Sequence, residues 1–266
     1  MMHPTAVAPT IDEAVTLARG HVYAFLASAL ADPLQSHFEQ ALDRRVQAVA
    51  VAAASLLASE APPSMELGPD EHQPGALDLL PVTEALARPR EALLREHQDL
   101  FGLLLGKTVI PYETEYCRQT LTFYRAQQLA DIAGFYRAFG LETSSESPER
   151  QDHISVELEF MAHLIHKELF AAASPDPALQ EKASLCSNAQ KEFFRTHLAW
   201  WIPAFAALLR REASSPLYSA LALALASFLP GERAIFDVPP NRNLAEPLPE
   251  PPTVEEDSCC GGASCE

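Results

Sequence analysis

Basic residues are scarce in this chain of 266 residues: 19 Lys plus Arg stand against 36 Asp plus Glu, a net charge of −17 at pH 7. So acidic a chain is repelled by phosphate backbones, which argues against nucleic acid as the main partner. It draws cationic partners such as a basic peptide. Acidic surfaces also serve solubility, so charge alone leaves both readings open. Long apolar runs are lacking too. The most apolar stretches, residues 48–58 and 217–229, fall short of the roughly 20 residues a membrane-spanning helix needs. The N-terminus has no basic region followed by an apolar one, so no secretory signal is expected. The chain is read as cytoplasmic, with no stable membrane insertion.

Catalytic signatures are missing as well. There is no Gly-rich phosphate loop, dinucleotide fingerprint, H-E-x-x-H or G-x-S-x-G elbow. No Glu stands three residues before a His, which removes the di-iron carboxylate bundle. Cysteine is thin over the body of the chain: Cys117 and Cys186 fall in helical patterns and read as buried thiols. Cys259, Cys260 and Cys265 crowd the end. That distribution is no disulfide framework.

What is present is helical. Thr10 and Glu13 have capping-box spacing, and Val15, Ala18, Val22, Phe25, Leu26 and Ala29 keep a helical period until Asp32-Pro33. Further helices are expected over residues 34–59, 82–103 and 118–139, the last ended by Gly140. Residues 61–81 read as a long loop and 104–115 as the least helical ordered part. Ser147-Pro148 has an N-cap/N1 arrangement that would open a helix to about residue 173. Residues 177–211 continue the pattern with Pro203 kinking or breaking it, and 216–229 form a last helix closed by Pro230-Gly231. The organisation is a flexible N-terminus over 1–10, one all-α helical bundle over 11–237, and a Pro-rich, acidic, disordered tail over 238–266.

The informative segment is SPERQDHISVELEFMAHLIHKELF, residues 147–170. On a helix, Ile154, Leu158, Met161 and Ile165 share one face suited to burial. His153 and Glu157 are four apart and can pair, and Asp152 falls in the first turn, where the helix dipole favours a carboxylate. Physics alone allows a plain amphipathic helix with a solvated charged face. Glu159, His163 and His166 share a face too, but three metal ligands would still need a fourth from elsewhere, so a satisfied histidine pair is the simpler reading.

That segment resembles the signature of the TorD/DmsD/NarJ family, dedicated chaperones of molybdopterin-containing oxidoreductases. The resemblance rests on Pro148-Glu149, then Asp152-His153, then Glu157-Leu158-Glu159-Phe160-Met161. In the same order, RGHVYAFLASALADP (19–33), EHQDLFG (96–102), PYETEY (111–116), FYRAFGL (135–141) and HLAWWIPAFAALL (197–209) also look like family segments. His97 and Thr114 stand where Tyr and Ser are usual. The resemblance covers about residues 11–230.

It implies a non-catalytic, all-helical chaperone that needs no cofactor of its own. Its partner would be the catalytic subunit of an apo-molybdoenzyme, bound at the N-terminal twin-arginine signal region. Binding would assist molybdenum cofactor insertion and delay export until maturation. Peptide binding is carried over to Asp152 and His153, with Glu113, Tyr112 and Tyr116 following. Glu113, Glu115, Asp152 and Glu157 could receive arginine guanidinium groups beside an apolar groove. A monomer or a homodimer is compatible. The tail DSCCGGASCE departs from the family. Cys259, Cys260 and Cys265 could hold a soft metal ion or exchange thiols, so a metal-handling or thiol-redox protein is the alternative.

Overall fold

The structure, a computed structural model, describes residues 11–102, 109–117, 122–142 and 149–245. Among them the helical periods are realised as ten helices: α1 (Ile11–Leu30), α2 (Phe38–Leu42), α3 (Arg44–Glu60), α4 (Leu80–Leu86), α5 (Arg90–Phe101), α6 (Thr122–Ala138), α7 (Ile154–Ala172), α8 (Pro177–Phe193), α9 (Ile202–Glu212) and α10 (Pro216–Phe236). No β-strand occurs among the described residues; one isolated antiparallel bridge joins Tyr112 and His153. The class is all-α. The tail from residue 246, with its three cysteines, and Thr10 of the expected capping box lie outside the described residues.

The centre is the α1–α7 pair. α7 packs on α1 and α8, α1 also packs on α3, and α10 packs on α9 and α4. Ile154, Leu158, Met161 and Ile165 are all buried, as their spacing requires. Gly20 lets α1 and α7 approach closely: a Cβ there would lie 3.0 Å from Ile165 Cγ2. A charged knot ties α1 to α8 and α10. Arg19 donates to both oxygens of Glu232 at 2.7 and 2.8 Å, and Tyr23 adds a hydroxyl to the same carboxylate at 2.9 Å. All three side chains are buried, so the pairing offsets a desolvation cost that neither charge could bear alone.

Several boundaries differ from the sequence pattern, each for a local reason. The single helix expected over 34–59 is split at Asp43. Its backbone is extended, and its carboxylate accepts from the Arg45 N–H at 2.7 Å to start α3. The helix expected over 82–103 breaks at Pro89, which has no N–H and disfavours helix at Arg88. Pro203 does not kink a long helix; it sits in the first turn of α9, and the break precedes it at a π-helical turn, Phe194–Leu198. Residues 149–153 are not helical, so α7 opens at Ile154 rather than at Ser147-Pro148, which lie outside the described residues. Asp152 therefore precedes the helix instead of filling its first turn.

The last helix runs on through Pro230 and Gly231 to Phe236 and ends at Asp237, in the left-handed region at φ 56°. Proline withdraws the N–H that the Ala226 carbonyl would receive. The His72 N–H from the 61–79 loop takes that carbonyl at 2.9 Å. Arg233 and Glu71, both buried, clamp the same loop to α10 with an Nε–Oε1 bond of 3.1 Å. At 21 residues α10 is long and apolar enough to cross a membrane by length and composition, yet its apolar window is 72% buried in the protein. As expected, Gly140 ends the α6 turn with φ 79°, a conformation open to glycine at little cost.

Candidate functional site

One antiparallel bridge, Tyr112 to His153, joins the loop before residue 113 to the segment that leads into α7. The Glu113 N–H donates to the Asp152 carbonyl and the Ile154 N–H to the Pro111 carbonyl, both at 2.9 Å. Those bonds hold the turn 150–153, closed by the His153 N–H on the Arg150 carbonyl at 3.0 Å, against that loop ahead of α7. The Asp152 carboxylate, wholly buried, locks the pairing from the side. It accepts from Thr114 Oγ1 at 2.7 Å, from the Thr114 N–H at 3.2 Å, and from Arg150 Nε and Nη2 at 3.0 and 2.9 Å. The Arg150 guanidinium also lies over the Tyr112 ring, 4.1 Å from its centroid, and reaches Glu115 Oε1 at 3.4 Å. Burial, then the neighbouring Glu149 carboxylate, pushes the Tyr112 phenol up to about 12.

His153 is the N-cap of α7. Its Nδ1 accepts from the Ser155 N–H at 3.2 Å and lies 2.7 Å from Ser155 Oγ, which places the ring proton on Nε2. An imidazole here does what Ser or Asp does at most caps. Burial above all, helped by His97 and Arg150, pushes its pKa down to about 3, so the ring is neutral at physiological pH. Its side chain does not pair with Glu157: one turn on, Glu157 turns inward and accepts from Trp201 Nε1 at 3.1 Å. Burial, then the Glu113 carboxylate, raises the Glu157 pKa well above the carboxylate range and favours the neutral acid.

Glu113 is also wholly buried. It accepts from Gln128 Nε2 at 2.7 Å, Trp200 Nε1 at 2.8 Å and His197 Nδ1 at 3.1 Å. Tyr116 is buried against Trp201, ring centroids 5.3 Å apart. The structure thus gathers Tyr112, Glu113, Tyr116, Asp152, His153 and Glu157 into one clasp. The three carboxylates among them face inward on partners of this chain. What the clasp presents outward is the half-buried Tyr112 and Glu115 and the Arg150 guanidinium, 43% exposed.

Sequence reasoning missed Arg150, Gln128, Asp131, His197 and Trp200. Arg150 is two residues from Asp152, too close for any helical rule to pair them. The others converge from α6 and from the α8–α9 junction, a distance of 84 residues for the His197–Glu113 contact. No local spacing announces such a meeting.

Beside the clasp opens a cleft of about 830 Å³ between α6 and the α8–α9 junction. Gln128 and Trp200, two of the donors to Glu113, stand in its wall, as do Tyr124, Asp131, Thr196 and Cys117. Burial, then Glu113, pushes the half-buried Cys117 thiol up to about 11, which makes it unreactive at neutral pH. Neither Cys117 nor the buried Cys186 forms a disulfide. Among the described residues no three His, Cys, Asp or Glu side chains are grouped to hold a metal ion.

A family model described as nitrate reductase delta subunit matches residues 69–207. Among curated relatives, a chaperone protein TorD of Vibrio cholerae serotype O1 (strain M66-2) is 29% identical over 140 residues, 52% of this chain and 60% of that protein. TorD from strain ATCC 39315 of the same serotype is 28% identical over 163 residues, 60% of this chain and 70% of that protein. The perchlorate reductase assembly chaperone protein of Dechloromonas aromatica is 32% identical over 97 residues, 35% of this chain and 39% of that protein. The match to the first of these therefore spans only 60% of the relative's own length. The family match takes in the whole clasp and every named residue of the cleft wall.

Proposed function

The chain belongs to the nitrate reductase delta subunit family, the TorD/NarJ type, and from that premise we propose that it is a chaperone for the catalytic subunit of a molybdoenzyme. It binds the N-terminal, twin-arginine signal region of the apo-subunit in the cytoplasm. It holds that subunit for molybdenum cofactor insertion and delays export until insertion is complete. The cofactor is the client's, and the chaperone works by binding rather than by catalysis. The observation that carries this reading is that the family match falls on the clasp and on the cleft beside it.

The physics of the site supports the reading. A signal peptide brings basic side chains next to an apolar stretch, and the chain offers a net charge of −17 with an aromatic, acidic cleft. In this reading Asp152 and His153 act by holding shape. Asp152 pins the 111–116 loop to the start of α7, and His153 caps that helix. Glu113 and Glu157 brace the wall from beneath, and Tyr112, Glu115 and Arg150 present the outer surface, with Tyr116 packed behind.

A synthetic twin-arginine signal peptide is expected to bind the full chain with a Kd of micromolar or below. Asp152→Ala combined with His153→Ala is expected to weaken it at least tenfold, on the order of the loss of one charge-assisted hydrogen bond. Unchanged affinity in a folded double variant would remove the clasp from the binding site. A second reading rests on sequence alone: a thiolate metal site at Cys259, Cys260 and Cys265. Zinc or copper(I) binding that disappears on deletion of residues 253–266 is its signature.

A further inference from the structure

The cleft has a chemical character of its own. Among the described residues that line it there is no Lys, Arg or His; the charged side chain is Asp131, 60% exposed on α6. Two aromatic residues, Tyr124 from α6 and Trp200 from the α8–α9 junction, line the same space, with the amides of Gln127 and Gln128 beside them. A second carboxylate, Glu113, stands directly behind the wall and reaches it through Gln128 and Trp200. His197 lies between the two acids. Its Nδ1 is 3.1 Å from Glu113, and its Nε2 is 3.3 Å from Asp131 Oδ2, near it but not aligned as a hydrogen bond. That Nε2 is buried and makes no hydrogen bond, although His197 is wholly enclosed. A buried ring nitrogen left without a hydrogen bond, next to the exposed carboxylate of an open cleft, marks an incomplete arrangement.

The volume, about 830 Å³, is within the range of roughly 300–1,000 Å³ typical of ligand sites. An acid flanked by indole and phenol faces suits a planar cation. A guanidinium can stack on the rings while its forked donors reach a carboxylate and side-chain amide oxygens. An ammonium is compact and more strongly hydrated, and it gains less from such walls. A phosphate or carboxylate ligand would meet like charge.

We propose that this cleft is an arginine subsite, in which Asp131 takes the guanidinium of a bound peptide between Trp200 and Tyr124. The inference rests on the chaperone reading above and assigns the arginine to this cleft rather than to Asp152, whose carboxylate is already held by Arg150. Glu113 is a positioning residue: it holds Trp200 and Gln128 in the wall and need not touch the peptide.

The test uses the full chain and three versions of one signal peptide, with its arginines intact, changed to Lys, or changed to Gln. Affinities come from calorimetry, and tryptophan fluorescence, to which Trp200 in the cleft wall and the buried Trp201 both contribute, reports the change on binding. The native chain is expected to prefer Arg over Lys and Arg over Gln, the latter by about tenfold or more. Asp131→Asn is expected to bring the Arg-to-Gln ratio near one, while Asp131→Glu retains a preference. Tyr124→Leu is expected to narrow the Arg-to-Lys ratio. The exposure of Asp131 keeps its variants folded, which an unchanged near-UV circular dichroism spectrum verifies. Binding in which Asp131→Asn leaves the Arg-to-Gln ratio untouched overturns the subsite and leaves the chaperone reading standing. Failure of the native chain to bind any of the three overturns both.

Discussion

At the scale of single residues, Glu157 and His153 place titratable groups one turn apart in the buried interior, and burial acts on them in opposite directions. The Glu157 pKa is raised, so the folded chain holds a proton that the unfolded chain gives up above its usual 4.5. Its contribution to stability is therefore complete below that value and is lost as pH rises through the raised one, at no more than about 1.4 kcal/mol per pH unit. Glu157→Gln, which cannot ionise, is expected to gain stability relative to the native chain between about pH 5 and pH 8. Urea unfolding at the two pH values checks it, and a constant difference would contradict a buried neutral acid. His153 runs the other way. With a folded pKa of about 3 against the usual 6.5, its contribution is complete above 6.5 and is lost as pH falls towards 3. His153→Asn supplies a capping oxygen in place of Nδ1 and removes the proton site, so it is expected to unfold less readily than the native chain on acidification when both are normalised at pH 7. The sequence put Asp152 and His153 in a helix opening at Ser147-Pro148, whereas His153 caps α7 and Asp152 stands before that helix. It could not show that the carboxylates face inward, because burial depends on Trp200, Trp201, Gln128 and His197 arriving from elsewhere.

Among the helices, α1 packs on α7 with little room at Gly20. Gly20→Val is expected to cost about 1–3 kcal/mol by overpacking, since its β-carbon alone would lie 3.0 Å from Ile165 Cγ2. Adding Ile165→Leu, which moves the branch off the β-carbon, is expected to recover part of that loss. Thermal unfolding of the two variants measures both, and a harmless Gly20→Val would show that the helices can part. Helix identity was legible because the apolar period is long and strong in α1, α7 and α10. Helix ends were less so. Asp43 and Pro89 divide helices at positions whose cap and breaker chemistry the apolar pattern overrode. Pro230 reads as a stop yet sits inside α10, because His72 from a distant loop takes the carbonyl that proline leaves open. A sequence shows the missing donor and not the one that replaces it.

For the whole molecule, the excess of acid over base is the feature with the longest reach. With a net charge of −17, association with a basic peptide is expected to slow as salt rises from about 0.05 to 0.5 M, because screening shortens the Debye length to a few ångströms. Dissociation is expected to change less, since the cleft contacts are short-ranged. Stopped-flow fluorescence separates the two rates, and a salt-independent association rate would confine the acidity to a role in solubility. Family and fold class were legible in the ordered motif from Pro148 to Met161 and in the absence of strand patterns. The cleft was not, since its walls come from α6 and the α8–α9 junction and meet only in three dimensions. The most direct test of the chaperone reading is a calorimetric titration of the full chain with a twin-arginine signal peptide and with a scrambled peptide lacking arginine. Saturable one-to-one binding of the first at micromolar affinity or tighter, with no binding of the second, is the predicted result. No binding of the signal peptide, or equal binding of both, would contradict it.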